Sequence, residues 1–120
     1  MQETISPELR ALGSRCCIDL PPPVSADHAQ ELAQDFQILG HPVRLQLLAV
    51  LAQNPGKICV CDLEAALPIK QPTVSHHLRL LREAGLVDCE RHGQWAYYVL
   101  KHDAMTALQG RVGSVLHLLT

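Results

Sequence analysis

Residues 71–85, QPTVSHHLRLLREAG, constrain the fold more than any other part of the chain. Pro72 suits a first helical turn, where no backbone donor is needed, and Gly85 suits a left-handed stop. Between them Val74, Leu78 and Leu81 recur at helical spacing and make one apolar face. The opposite face carries Gln71, Thr73, Ser75, His76 and Arg79. Short hydrogen-bonding groups near a helix start, with an arginine further along, can meet base edges and phosphates in a DNA major groove. A plain amphipathic helix with a solvated side has the same periodicity, so the neighbouring segments decide between the two.

Upstream, Ser25 and Asp27 can cap a helix running to about residue 39, with Leu32, Phe36 and Leu39 facing inward. Gly40-His41 breaks it, His41 serving as a turn residue, and Pro42 opens a second helix with Val43, Leu47, Val50 and Leu51 on one side. That helix ends near Asn54-Pro55-Gly56. A third is predicted over roughly 60–67, stopped by Pro68, and a turn of about three residues leads into the 71–85 segment. This is helix-turn-helix spacing.

After Gly85 the periodicity changes from helix to strand. Residues 86–91 and 95–100 are joined by His92-Gly93-Gln94, a hairpin with glycine at its bend. A hairpin directly behind a reading helix is a wing, and its tip (Arg91, His92, Gln94) can reach a phosphate or the minor groove. Tyr97 or Tyr98 and Cys89 are expected to pack. Residues 102–119 form a last helix, with Met105, Leu108, Val112, Val115, Leu116 and Leu119. More of it is apolar than one small core needs, which predicts a subunit interface. The expected fold is mainly α with a small β-hairpin: a dimeric winged helix-turn-helix.

With 120 residues there is room for one core, and at 3% aromatic content it must be built of Leu, Val, Ile and Ala. No apolar run approaches the roughly 18 residues of a membrane span, and MQETISPELR lacks the pattern of a secretory signal. A cytoplasmic protein without a membrane partner is expected. Residues 1–24 read as an arm carrying Cys16-Cys17 and ending in the stiff connector Pro21-Pro22-Pro23, and residues 25–120 as the domain.

The net charge of −2 conceals an asymmetry. Residues 1–69 carry four basic and eight acidic side chains, whereas residues 70–101 carry five basic (Lys70, Arg79, Arg82, Arg91, Lys101) and three acidic, with His76, His77 and His92 besides. The segment assigned to DNA is thus net positive. So modest a basic surface neutralises few phosphates per chain, and a dimer would raise affinity. Five cysteines, an odd number with one adjacent pair, do not make a disulfide framework in a reducing compartment. Thiolate chemistry or metal binding is the sharper explanation.

Taken together, HPVRLQLLAVL, ICVCDLEAAL, QPTVSHHLRLLREAGLV and RHGQWAYYVL resemble, in order and spacing over about residues 27–101, the winged-helix repressors of the ArsR/SmtB type. The resemblance implies a homodimer, joined by its first and last helices, that holds double-stranded operator DNA and lets go when a toxic metal or metalloid binds. Cys59-Val60-Cys61-Asp62-Leu63 resembles the thiolate box used by arsenic-, cadmium- and lead-sensing members. Two cysteines one residue apart at a helix start can turn toward one point if the first turn is distorted, and helix amides favour thiolate there. In the arsenic type a third cysteine follows three residues on. Here Glu64 stands in its place, a hard ligand poorly matched to a soft ion.

Cys16 and Cys17 can supply the missing sulfur. The expected site is Cys16 and Cys17 with one of Cys59 and Cys61, for trivalent arsenic or antimony, whose lone pair suits three sulfurs. A fourth sulfur would favour tetrahedral cadmium or zinc, and a cadmium- or lead-sensing repressor using the same cysteines is the alternative. His102 with Asp103, and His117, are similar to the zinc site of zinc-sensing relatives but lack its paired spacing. No nucleophile–base pattern, phosphate loop or organic-cofactor motif argues for an enzyme. A thiol redox switch at Cys16-Cys17, or a metal-handling protein that does not bind DNA, are the remaining readings.

Overall fold

The computed structural model describes residues 19–120; the expectations for Cys16 and Cys17 lie outside that range. The order of elements is α1 (Ala26–Leu39), α2 (Pro42–Gln53), β1 (Ile58–Cys59), α3 (Val60–Ala66), α4 (Gln71–Glu83), β2 (Val87–His92), β3 (Trp95–Leu100) and α5 (His102–Leu118). None of the helices is long and apolar enough to cross a membrane, among the described residues.

Local chemistry explains most boundaries. Ser25 caps α1, its hydroxyl accepting from the His28 amide at 3.1 Å. His41, expected only to turn the chain, caps α2: its Nδ1 accepts from the Val43 amide at 3.1 Å, just ahead of Pro42. At the end of α4, Gly85 takes φ +80°, its amide donates to the Arg82 carbonyl, and the Leu86 amide donates to the Leu81 carbonyl. Those two bonds with a left-handed residue make a Schellman stop, and the accompanying apolar contact is supplied by buried Leu81 and Leu86.

No atom lies within 4 Å of where a Cβ on Gly85 would stand, so substitution there acts on backbone conformation alone. Gly85→Ala is expected to cost about 1–2 kcal/mol, lowering the melting temperature by roughly 4–8 °C per kcal/mol in a domain of this size. Thermal melts at matched protein concentration check it; an unchanged midpoint would show that the stop is unimportant.

The core gathers around α4. Leu47, Leu51, Leu63, Val74, Leu78, Leu81 and Val87 are almost wholly buried, so α2, α3, α4 and β2 share one apolar centre. Each such side chain contributes about 1.5–3 kcal/mol of transfer free energy. This pins the polar side of α4 outward.

Three expectations need correction. The sheet has three strands, not two: β1 pairs antiparallel with β3 (Ile58 opposite Tyr98, Cys59 opposite Tyr97) and lies on its far side from β2. A two-residue strand has no periodicity to read. The wing turn is Gly93-Gln94 alone, since His92 already pairs with Trp95; only Gly93 has positive φ, +62°, the pattern of a II′ turn. Finally, Phe36 is 41% exposed rather than inward. Leu116, Leu118 and Leu119, on and after α5, are about half exposed or more, in keeping with the surplus of apolar surface expected of that helix. On α1 and α5 only Leu32 and Leu108 are buried, with Ile38, Leu39, Ala104, Met105 and Val112 packed partly against the core. These two helices, which a bidentate Arg111–Asp35 ion pair ties together at 2.8 and 3.0 Å, leave a broad apolar surface uncovered in the single chain.

Candidate nucleic-acid interface and thiol site

Because Val74, Leu78 and Leu81 hold one side of α4 in the core, the other side faces the wing across an open groove of about 600 Å³. Six of the expected DNA-facing residues line it: Gln71, Ser75, His76 and Arg79 from α4, Arg91 and Gln94 from the wing. Arg79 Nη2 lies 3.1 Å from His76 Nδ1, which orients both side chains on the exposed face. The floor is Pro72, Val60, Ala96 and Tyr98. A concave surface with three guanidinium groups and small hydrogen-bonding side chains at its helical end suits a phosphate backbone with base edges beside it.

Two expected residues are elsewhere. Thr73 is exposed in the first turn of α4 but does not line the groove. His92 is engaged by Glu90, with Nε2 3.0 Å from Oε1, and stands edge-on to Tyr97; Lys57 holds the other oxygen of the same carboxylate. The acid that Lys57 and His92 share draws the His92 ring away from the basic surface. One residue was missed. Arg82 lines the groove, three positions after Arg79, and that helical spacing was the available signal.

His77, counted with the basic segment, is 6% exposed and adds nothing to the outer surface. Its ring stacks on His41 with centroids 4.2 Å apart, and its Nδ1 lies 3.3 Å from Arg44 Nη1. Burial first, then the neighbouring His41, Arg44 and His76, hold its pKa below the ordinary histidine range.

The thiol site borders this groove, since Val60, which lines it, stands between Cys59 and Cys61. Cys59 ends β1 and caps α3 by position, and is buried; Cys61 is in the first turn of α3 and exposed. The Cys61 thiol donates to Cys59 Sγ at 2.8 Å. The convergence expected from a distorted helical turn comes instead from the strand-to-helix corner, where Cys59 keeps extended backbone (φ −64°, ψ 141°). Helix amides do not win at Cys61: the hydrogen bond to Cys59 raises its pKa most, with desolvation and the charges of Cys59 and Asp62 adding to it. At Cys61 these contacts outweigh the thiolate-favouring effect expected of the helix start.

Two sulfurs bound to one ion at about 2.3 Å stand roughly 3.8 Å apart in tetrahedral geometry, so this pair has only to open by about 1 Å. Its donor chemistry fits a soft ion, and Cys61 is open to solvent. Among the described residues no group of three histidines, cysteines or carboxylates is placed to complete a site. Glu64 Oε1, one helical turn after Cys61, is buried without a hydrogen-bond partner among the described residues. Cys89 lies half-buried on β2 opposite Tyr98 and packs against the core, as expected. His102 and His117 fall at opposite ends of α5, where one ion cannot reach both from a single chain.

Residues 41–88 match the profile described as bacterial regulatory protein, arsR family. A transcriptional repressor described as an SmtB homolog, from Synechocystis sp., is 40% identical over 96 residues, which is 80% of this chain and 71% of that one. The arsenical resistance operon repressor of Escherichia coli is 45% identical over 67 residues, 56% of each chain. Among solved structures, the AntR antimony-specific transcriptional repressor superposes with a TM-score of 0.63 at 25% identity, covering 96% of both chains. With a fold of five helices and a small wing, a basic groove on the expected helix and these relatives, the chain belongs to the ArsR family of winged helix-turn-helix, DNA-binding transcriptional regulators, a family of repressors rather than enzymes.

Proposed function

We propose that the chain is a metalloid-responsive repressor of the cytoplasm that binds double-stranded operator DNA as a homodimer and is released by trivalent arsenic or antimony on cysteine thiolates. The observation that carries this reading is the 2.8 Å approach of Cys59 and Cys61 at the head of α3, the helix that packs directly on α4. Cys16 and Cys17, on an arm of residues 1–24, supply the further sulfurs to a domain of residues 25–120. The arsenical and antimony repressors among the relatives support the choice of ion. The uncovered faces of α1 and α5 supply the dimer interface; exposed leucines there are costly to leave in water.

In this reading Gln71, Thr73, Ser75 and His76 read base edges, while Arg79 and Arg91, with Gln94 at the wing, hold phosphates and His92 stays with Glu90. An ion that draws Cys59 or Cys61 toward Cys16 and Cys17 shifts the start of α3. The short turn through Pro68 and Ile69, closed by the Ile69 amide on the Leu67 carbonyl at 2.7 Å, passes that shift to α4. Two half-sites must be held in register, so ion and operator oppose each other by linkage.

The test uses a duplex selected by the full chain from a random-sequence pool, followed by fluorescence anisotropy during titration with arsenite, antimonite, cadmium, lead or zinc. Release by arsenite or antimonite, with absorbance of a three-sulfur complex, is the expected result. Release by cadmium or lead alone, with the stronger charge-transfer band of a four-sulfur site, would replace the inducer while leaving the repressor standing. A duplex that stays bound under every ion overturns the reading.

A further inference from the structure

Where α1 ends, its last-turn carbonyls need donors, and α1 carries no basic residue there. Arg44, from the first turn of α2, supplies them: Nε donates to the Ile38 carbonyl at 2.7 Å and Nη2 to the Gln37 carbonyl at 2.9 Å. Its remaining nitrogen, Nη1, faces Nδ1 of buried His77 on α4 at 3.3 Å. A guanidinium can only donate, so His77 Nδ1 accepts and its proton sits on Nε2. His41 stacks on the same ring and itself accepts the Val43 amide through Nδ1. Three segments, the end of α1, the cap of α2 and the middle of α4, thus meet at one guanidinium and two imidazoles whose hydrogen bonds require unprotonated Nδ1 atoms.

We propose that Arg44, His41 and His77 form a joint that sets the pose of α4 against the α1–α2 corner, that His77 is its positioning residue for DNA binding, and that the joint holds only while His77 is neutral. This rests on α4 being the operator-reading helix. The groups that face His77 are Arg44 from α2, His41 from the corner and His76 from its own helix, all cationic or able to become so; no carboxylate acts on it among the described residues. Protonation removes the acceptor for Arg44 and places a second full charge beside the guanidinium. Since the folded-state pKa lies below the ordinary value of about 6.5, the joint's contribution is complete above that value and is lost as pH falls through the lowered one. α1 also borders the surface assigned to the second subunit, so the joint stands between dimer interface and DNA face.

Anisotropy with the selected duplex, at constant ionic strength and across about pH 5.5 to 8, tests this with wild type, H77N and H77L. Wild-type affinity is expected to fall toward the acid end by less than tenfold, because His77 in the free chain takes up its proton only below about 6.5. H77N keeps an acceptor for Arg44 but cannot titrate at this position, so its affinity at neutral pH should stay near wild type and its acid loss should be smaller than that of wild type. H77L lacks the acceptor and should bind about tenfold more weakly at neutral pH, a normal coupling magnitude. If H77L does not fold, the His77 imidazole resonance in wild type gives the answer: its titration midpoint must drop when DNA is bound. A midpoint for His77 that does not drop, or H77N matching wild type at every pH, overturns the joint while leaving operator binding intact. A wild-type chain that retains no duplex at all brings down the operator reading, and the joint with it.

Discussion

Serine in place of Cys61 is expected to leave operator affinity within about threefold of wild type while abolishing release by arsenite. The side chain is exposed, and its side-chain hydrogen-bond partner among the described residues is Cys59, so little folding energy depends on it. The ion, in contrast, loses the solvent-exposed sulfur of the pair and is left with buried Cys59 as the sulfur of this corner. Allosteric coupling in proteins of this size is about 5- to 150-fold in affinity, and in C61S the ratio of operator affinities with and without arsenite should approach one. Cys59→Ser is the harsher change. Cys59 is buried, and a hydroxyl there without a partner costs about 1–3 kcal/mol, so loss of induction must be read beside a thermal melt. C61S that still releases the operator under arsenite would make Cys59 the third sulfur, and only release by the C59S/C61S double variant would remove the α3 pair from the site and leave Cys16 and Cys17 to act alone.

The second large effect concerns charge. Replacing Arg79 and Arg91 together by alanine should weaken operator binding by about a hundredfold to a thousandfold near physiological salt, if each neutralises one phosphate. Two sites in each subunit of a dimer make four contacts, so the slope of log affinity against log salt should become shallower by about 3.6, at roughly 0.9 per phosphate. Sequence preference should be nearly unchanged, because phosphate contacts position the protein and carry no base information. Ser75→Ala and Gln71→Ala should do the reverse, relaxing preference at particular base pairs with the salt slope intact. His92→Gln is expected to do least, since its ring is already committed to Glu90 and Tyr97. An R79A/R91A variant with wild-type slope would show that the groove between α4 and the wing does not face DNA.

Much of the fold could be read from residue order because the rules involved are local. The 3.6 periodicity of Val74, Leu78 and Leu81, proline near the start of α4 and glycine after its end act within a few residues. So does the alternation along β3, where Ala96, Tyr98 and Leu100 are buried and their neighbours are less so. The limits of α1, α2, α4 and α5 follow within a residue or two. What failed was non-local. β1 exists only because β3 offers Ile58 and Cys59 an edge, and two residues have no pattern of their own. Phe36 looks like a core residue by spacing, yet the single chain has nothing to lay against it.

The candidate site divides along the same line. Residue types and spacing determined that a polar, arginine-bearing helix face would turn away from the core and that Cys59 and Cys61 would stand close. Tertiary structure decided that the two sulfurs meet across a strand-to-helix corner, with the Cys61 thiol harder, not easier, to ionise. It also placed Arg82 in the groove, gave His92 to Glu90, and buried His77 against Arg44 and His41. Helix caps and amphipathic faces are settled by neighbours along the chain. Ionisation, burial and hydrogen-bond partnership depend on whatever the fold brings from far away in sequence, and at His77 that partner is 33 residues distant.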